Sequence, residues 1–251
     1  MITQLTIITG ASRGMGLTMA QQLIGARHKL LCISRGSSDA LAQAADQAGA
    51  DLTQWQADLA DATPVAARLG QWLANQSAPE ISSVTLVNNA GVIPPIVPLY
   101  AADPQELVRA LRVGLEAPLV MTAAFLAATR AWTAKRRVLN ISSGLGRHPM
   151  ASQSAYCAAK AGLDHFTRCL AQDEARQANG ARVCALAPGV IDTDMQQQLR
   201  NAHPLDFPDQ ASFAKLKQTG QLTSAQDAAA RVLAYLNRTD FGSQPVADVR
   251  D

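Results

Sequence analysis

Tyr156 and Lys160 stand four residues apart in the run Tyr156-Cys157-Ala158-Ala159-Lys160, an interval that puts both side chains on one face of a helix. A tyrosine hydroxyl with an ordinary pKa of ~10 is a poor proton donor at neutral pH, and moving it to ~7 takes about 4 kcal/mol at 1.36 kcal/mol per unit. An ammonium ~4 Å away supplies about 4 kcal/mol at an effective dielectric of ~20, before the cost of desolvating the lysine is subtracted. The pair could therefore hand a proton to an oxygen atom. Ser143, thirteen residues before Tyr156, could hydrogen-bond the same oxygen. A tyrosine and a lysine at this interval are common on exposed helices, so the serine at a strand end is what gives the pair weight.

A second chemical feature is the turn Thr9-Gly10-Ala11-Ser12-Arg13-Gly14-Met15-Gly16, which follows an apolar run and opens a helix predicted through Leu23. Glycine lets a backbone approach a phosphate closely, and a helix N-terminus offers unpaired N–H groups and about half a positive charge. The turn therefore predicts anion binding. Position carries this reading, because glycines alone also make tight turns with no ligand.

Elements able to present these groups are visible in the hydrophobic pattern. Short β-branched or Leu-rich runs at Leu5–Thr9, Lys29–Ser34, Leu52–Ala57, Val84–Asn88, Arg137–Ser142 and Arg182–Ala187 alternate with longer alanine-rich stretches of helical spacing. That alternation predicts an α/β fold with a parallel sheet covered on both faces. Asp61-Ala62-Thr63-Pro64 and Asp103-Pro104 place a capping side chain and then proline at a helix start. The chain has 251 residues and 48% hydrophobic content, enough for a large core. With 22 Lys plus Arg against 20 Asp plus Glu and a net charge of +2, it generates no field suited to nucleic acid. Ala117–Thr129, 13 apolar residues interrupted by Pro118, falls short of the ~20 that a bilayer span requires, so no membrane partner is expected. The first strand and glycine turn come too early for a signal peptide, and Cys32, Cys157, Cys169 and Cys184 show no paired spacing and read as small core residues, so the cytoplasm is expected.

Further motifs follow in order: Val87-Asn88-Asn89-Ala90-Gly91 after the fourth run, Asn140-Ile141-Ser142-Ser143 at the end of the fifth, Tyr156 to Lys160, and Pro188-Gly189 after the sixth. With the spacing G-x-x-x-G-x-G in the first turn, this set resembles the short-chain dehydrogenase/reductase superfamily over essentially the whole chain. The resemblance implies one Rossmann-type domain, a doubly wound parallel sheet flanked by helices, with a mobile insert at about 190–222 that covers substrate. It makes Ser143, Tyr156 and Lys160 the catalytic residues. Hydride would pass from a dihydronicotinamide to a carbonyl carbon while Tyr156 protonates the oxygen, and Lys160 would also hold the nicotinamide ribose. Gly10, Ser12, Arg13, Gly14, Met15 and Gly16 would bind the pyrophosphate region, and Asp58 with Leu59 would meet the adenine. Asn89, Ala90 and Gly91 would border the ribose and nicotinamide. Pro188, Gly189, Ile191, Thr193, Asp194, Met195 and Gln196 would enclose the nicotinamide end.

The choice of cofactor rests on the end of the second strand, where the adenosine ribose lies. An NAD site would offer the ribose a carboxylate, but Ser34-Arg35 stand there. Arg35 and Arg13 could flank a 2′-phosphate with planar, permanently charged donors, so NADP(H) is expected and no metal is needed.

One position departs from the superfamily pattern, which places an asparagine in the middle helix to support a proton-relaying water. Gly114 stands there, and no asparagine occurs between Asn89 and Asn140. Relay water held by backbone, slower proton supply, and a cofactor binder without turnover all follow as readings. The run Ala187 to Gln197, extended by Leu216 to Leu222, resembles the sepiapterin reductases and their bacterial dicarbonyl-reducing relatives. That resemblance sets Gly189 against substrate, beside Ser143 and Tyr156, and makes Asp248 either a grip on a pterin's guanidine-like edge or a residue that closes the sheet. Trp55, Trp72 and Trp132 suit packing, and Lys135-Arg136-Arg137 reads as a solvated turn. The expected activity is NADPH-dependent reduction of a small dicarbonyl or a pterin side-chain ketone. A 3-oxoacyl or alcohol dehydrogenase is the rival enzyme, and an NADPH-binding sensor or structural protein the rival of another class. By the same resemblance, the chain would pair as a homodimer or homotetramer through the helices that hold Met121 and Phe166.

Overall fold

Seven parallel strands run through a computed structural model that describes residues 3–251. They are β1 (Thr3–Thr9), β2 (His28–Ser34), β3 (Asp51–Gln56), β4 (Ile81–Asn88), β5 (Lys135–Ile141), β6 (Arg182–Ala187) and β7 (Val246–Asp248), in the order β3-β2-β1-β4-β5-β6-β7. The winding direction reverses between β1 and β4, which leaves a crevice above their carboxyl ends. Period-two alternation decides which side chains meet which helix layer. Leu5, Ile7, Leu31, Ile33, Val84, Leu86 and Val138 face one apolar cluster, while Ile8, Cys32, Val87, Leu139 and Cys184 face the other.

Helices α3 (Ala62–Ala74), α5 (Ala117–Thr129) and α6 (Ser154–Ala175) cover the first face, α4 (Pro104–Leu111) leads into α5, and α1 (Gly14–Leu23), α2 (Asp39–Ala48) and α9 (Ala225–Leu236) lie on the second. Asp103 caps α4 as its spacing predicts, accepting from the Gln105 amide at 2.9 Å ahead of Pro104. Asp61 does not cap α3 with its side chain. Asp58 instead accepts from the Ala60 amide and starts a short 3₁₀ turn one step earlier.

Several expectations need correction. α4 and α5 are joined by one π turn, Arg112–Glu116, into a continuous apolar helix from Pro104 to Thr129 that is long enough to cross a bilayer. Its Met121 and Phe125 are nevertheless fully buried against the sheet, so it is a core helix. The Lys135-Arg136-Arg137 run opens β5 instead of forming a solvated turn. Arg136 is 4% exposed, pairs with Glu174 at 3.1 Å and donates to the Asn179 carbonyl, which satisfies a charge that burial would otherwise penalise. Of the four cysteines only Cys32 and Cys184 are buried; Cys169 is exposed because it falls on the outer face of α6.

The late insert contains α7 (Asp194–Asn201) and α8 (Gln210–Gln218). They close around fully buried Phe207 and Leu199, which pack against Ile96, Ile93 and Met150. A parallel bridge between Ile191 and Thr223 ties the neck of the insert to itself.

Candidate active site

A cavity of about 700 Å³ opens above the carboxyl ends of β1, β4, β5 and β6. Its floor is the glycine turn. Gly10 and Gly14 adopt φ of 70° and 56°, a region that disfavours a Cβ. At Gly16 a Cβ would lie 2.3 Å from the Gly10 carbonyl oxygen. The turn is stitched to β4: the Asn89 side-chain amide donates to the carbonyls of Thr9 and Gly10 at 2.9 and 3.1 Å. Thr9 Oγ1 in return accepts from the amides of Asn89 and Ala90. Arg13 is the N-cap of α1 and makes no side-chain cap, no acidic residue follows in the first turn, and a Cβ at Gly14 would meet open space. The amino end of α1 is thus presented to the cavity with its amides uncapped, a cradle for phosphate oxygens.

All the residues assigned to the cofactor from sequence line this cavity: Gly10, Ser12, Arg13, Gly14, Met15, Gly16, Ser34, Arg35, Asp58, Leu59, Asn89, Ala90 and Gly91 on the β1–β4 side, and Pro188, Gly189, Ile191, Thr193, Asp194, Met195 and Gln196 opposite. Their details differ from a simple list of ligands. Ser34 turns its hydroxyl back to the Gly36 carbonyl at 2.9 Å, which shapes the turn that carries exposed Arg35. Arg13 reaches across the cleft to Asp194 at the start of α7, at 2.8 Å. Asp58 is met at 3.3 Å by Arg109 of α4, a lining residue that no motif in the sequence marks.

Ser143, Tyr156 and Lys160 converge on the same cavity. Lys160 is buried, donates from Nζ to the Ile141 carbonyl at 2.7 Å and stands 5.7 Å from the Tyr156 ring centre. Burial pushes its pKa down to about 8, opposed by the negative field of Asp164. Burial also raises the Tyr156 hydroxyl above its ordinary range, with the Ser143 hydroxyl pulling the other way. In the unliganded chain burial sets the direction of the tyrosine's shift, opposite to the acidification expected from one cation. Tyr156 is held as the neutral, proton-bearing form.

Asp248 lines the cavity too, at the end of β7, but it is already engaged. Arg250 donates to both carboxylate oxygens at 2.7 Å and Arg147 stands 3.8 Å away. The hydrogen bonds from Arg250 hold its pKa below the ordinary carboxylate range. The opposite wall is apolar: Ile93, Leu145, Met150, Leu199, Phe213 and Leu216. These residues come from loops and from the insert, where no local spacing announces them.

A doubly wound sheet with a tyrosine, a lysine and a serine gathered at its switch-point crevice defines a nicotinamide-dependent oxidoreductase. The chain belongs to the short chain dehydrogenase family, whose model matches residues 4–204 and whose members use NAD(H) or NADP(H). Among its relatives, the benzil reductase ((S)-benzoin forming) of Bacillus cereus is 33% identical over 235 residues, 94% of each chain. The sepiapterin reductase of Bos taurus is 31% identical over 98% of this chain and 94% of its own. Among solved structures, a short-chain dehydrogenase/reductase from Burkholderia vietnamiensis is 36% identical, covers 98% of this chain and 97% of its own, and superposes with a TM-score of 0.63.

Gly114 falls within the π turn, buried against α6, where a Cβ would lie 3.1 Å from the Ala159 side chain. The glycine therefore admits a close helix contact one residue before Lys160. Gly114→Asn is expected to cost about 1–3 kcal/mol by overpacking and to leave turnover no higher, while Gly114→Asn with Ala159→Gly recovers stability. Thermal unfolding run beside steady-state rates checks this, and a faster, equally stable single variant would show that proton relay is what the glycine limits.

Proposed function

We propose that the chain is an NADPH-dependent carbonyl reductase of one catalytic domain, acting on small, neutral vicinal diketones with apolar substituents. The observation that carries the substrate reading is the state of Asp248. A pterin's guanidine-like edge needs a carboxylate to receive it, and both oxygens of this one are taken by Arg250. The remaining wall, Ile93, Leu145, Met150, Leu199, Phe213 and Leu216, suits aryl or alkyl groups. Similarity to benzil reductases at 33% identity points the same way.

The residues fit the cofactor. The strained glycine turn and the uncapped end of α1 suit a pyrophosphate, and Ser34 with Arg35 at the end of β2 suits a 2′-phosphate better than two ribose hydroxyls. A bound dihydronicotinamide supplies the hydride. Tyr156, kept protonated by its surroundings, gives its proton to the carbonyl oxygen, and Ser143 Oγ donates a hydrogen bond to that oxygen as charge develops on it. Lys160, pinned to the Ile141 carbonyl, places a positive charge beside the phenolate left behind. Exposed Val108, Leu111 and Leu119 on the outer side of the long α4–α5 helix support a homodimer or homotetramer. The four free thiols suit a reducing compartment such as the cytoplasm.

A carbonyl panel followed at the dihydronicotinamide band tests the substrate. Benzil-type diketones are expected to be reduced and sepiapterin poorly, with Arg250→Ala improving sepiapterin relative to the diketone because it frees Asp248. Sepiapterin reduced as well as the diketone by the unaltered protein would overturn the reading. Tyr156→Phe should abolish most diketone turnover, by ~10²-fold or more, with little change in NADPH affinity measured by fluorescence. Arg35→Ala should weaken NADPH tenfold to hundredfold while sparing NADH, the effect of losing a charge-assisted bond of roughly 1.5–3 kcal/mol. Equal losses for the two cofactors in a fluorescence titration would remove Arg35 from the phosphate site.

A further inference from the structure

We propose that Asp164 is a positioning residue of the active site, which fixes the end of β5 through Ser142 and faces Lys160 from one helical turn away. The inference rests on Ser143, Tyr156 and Lys160 being the catalytic set.

Asp164 lies one helical turn after Lys160 on α6, so both project toward the end of β5. Lys160 Nζ donates to the Ile141 carbonyl, and the Ser142 hydroxyl donates to Asp164 Oδ1. One helix thus grips two successive residues of the strand end, and the next residue is Ser143. The serine just past the strand end and the tyrosine in the first turn of α6 are set against each other by this double clamp. Ser143 in turn accepts from the Leu145 amide at 3.2 Å, which starts the loop that crosses back over Asp164.

The carboxylate is sealed in place. It is 1% exposed, and Oδ2 has no hydrogen-bond partner among the described residues. Gly146 closes over it so tightly that a Cβ there would lie 2.7 Å from Oδ2 and 3.0 Å from the Lys160 carbonyl. Burial pushes the Asp164 carboxyl above its ordinary range, and the Ser142 hydroxyl with Arg147, Arg168 and Lys160 pulls it back. The charged and titratable groups around it are Lys160 and Arg168 on its own helix, Arg147 on the loop after Gly146, and Cys184 on β6, whose thiol burial pushes up to about 12 and leaves uncharged. Three cations face Asp164, and one of them, Arg147, is shared with Asp248. Its field on Lys160 opposes the desolvation that drives the ammonium toward deprotonation.

Asp164→Asn keeps the shape and an acceptor for Ser142 but removes the charge. Lysine titration by NMR with ε-carbon labelling, on the protein without cofactor, should show the Lys160 midpoint lowered by about one pH unit, the effect of losing a near opposite charge. The alkaline fall of kcat for carbonyl reduction should move to lower pH by the same amount, because the protonated lysine is then lost sooner. Ser142→Ala keeps the carboxylate and breaks the clamp. It should lower kcat roughly tenfold with the KM for NADPH unchanged, since misplacing Ser143 affects the reacting geometry. An unmoved Lys160 midpoint in Asp164→Asn would overturn the proposal. If that variant fails to fold, an unchanged kcat in Ser142→Ala would overturn it instead. A protein that reduces no carbonyl yet still shows the Lys160 shift would refute the reductase reading and leave the role of Asp164 standing.

Discussion

The contact on which the site depends is the seam between β1 and β4. Two strands that are neighbours in the sheet but distant in sequence end side by side, and their following turns must share one small volume. Thr9 Oγ1 and the Asn89 side chain exchange hydrogen bonds with each other's backbones there. Gly10 and Gly16 keep the space that any side chain would fill. Without that seam the amino end of α1 would not face the cavity, and the cleft between the two halves of the sheet would have no floor. Behind it a buried chain, Thr122 to Asn88 to Asn140 to Thr167, fixes β4 and β5 against α5 and α6. These polar groups are fully inside, so each bond both satisfies a desolvated atom and restricts the relative position of two elements.

Electrostatics on the catalytic side follow from depth. Lys160 is placed where its charge is expensive, and the chain offsets that expense with a carbonyl at 2.7 Å and a carboxylate one turn away. The same depth raises the Tyr156 hydroxyl above its ordinary range, with the Ser143 hydroxyl opposing. A buried tyrosine that resists ionising is in the state from which any proton donor must start.

Much of this was legible in the residues. Apolar runs bounded by turn signals located six of the seven strands to within a few residues, because both faces of a parallel sheet are buried and the runs are nearly continuous. β7 escaped, since Val246–Asp248 is too short to show a period. The π turn was invisible as well: Arg112 to Glu116 has ordinary helical residues, and the extra residue per turn is fitted to Ala159 across the contact. Arg136 looked like a surface charge because its partner Glu174 is 38 residues away. Ser143, Tyr156, Lys160 and the glycine turn, which line the same cavity, were readable because their spacing is local. The apolar wall was not, since it is assembled from loops and from α7 and α8. Asp164 lay at a readable interval from Lys160, but only its burial gives the interval meaning.

The bridge between Ile191 and Thr223 has a consequence for how such a protein can change. It brings the two ends of the insert together at the rim of the sheet, so everything between them hangs from a single closed stem. Lengthening a loop whose ends are already joined costs little, about 0.6 kcal/mol for each doubling. The wall contributed by Leu199, Phe213 and Leu216 can therefore be traded for a longer, shorter or more polar one without disturbing the strands beneath. The apolar lining is in this sense a replaceable cassette, while Tyr156 and the glycine turn belong to the frame that carries it.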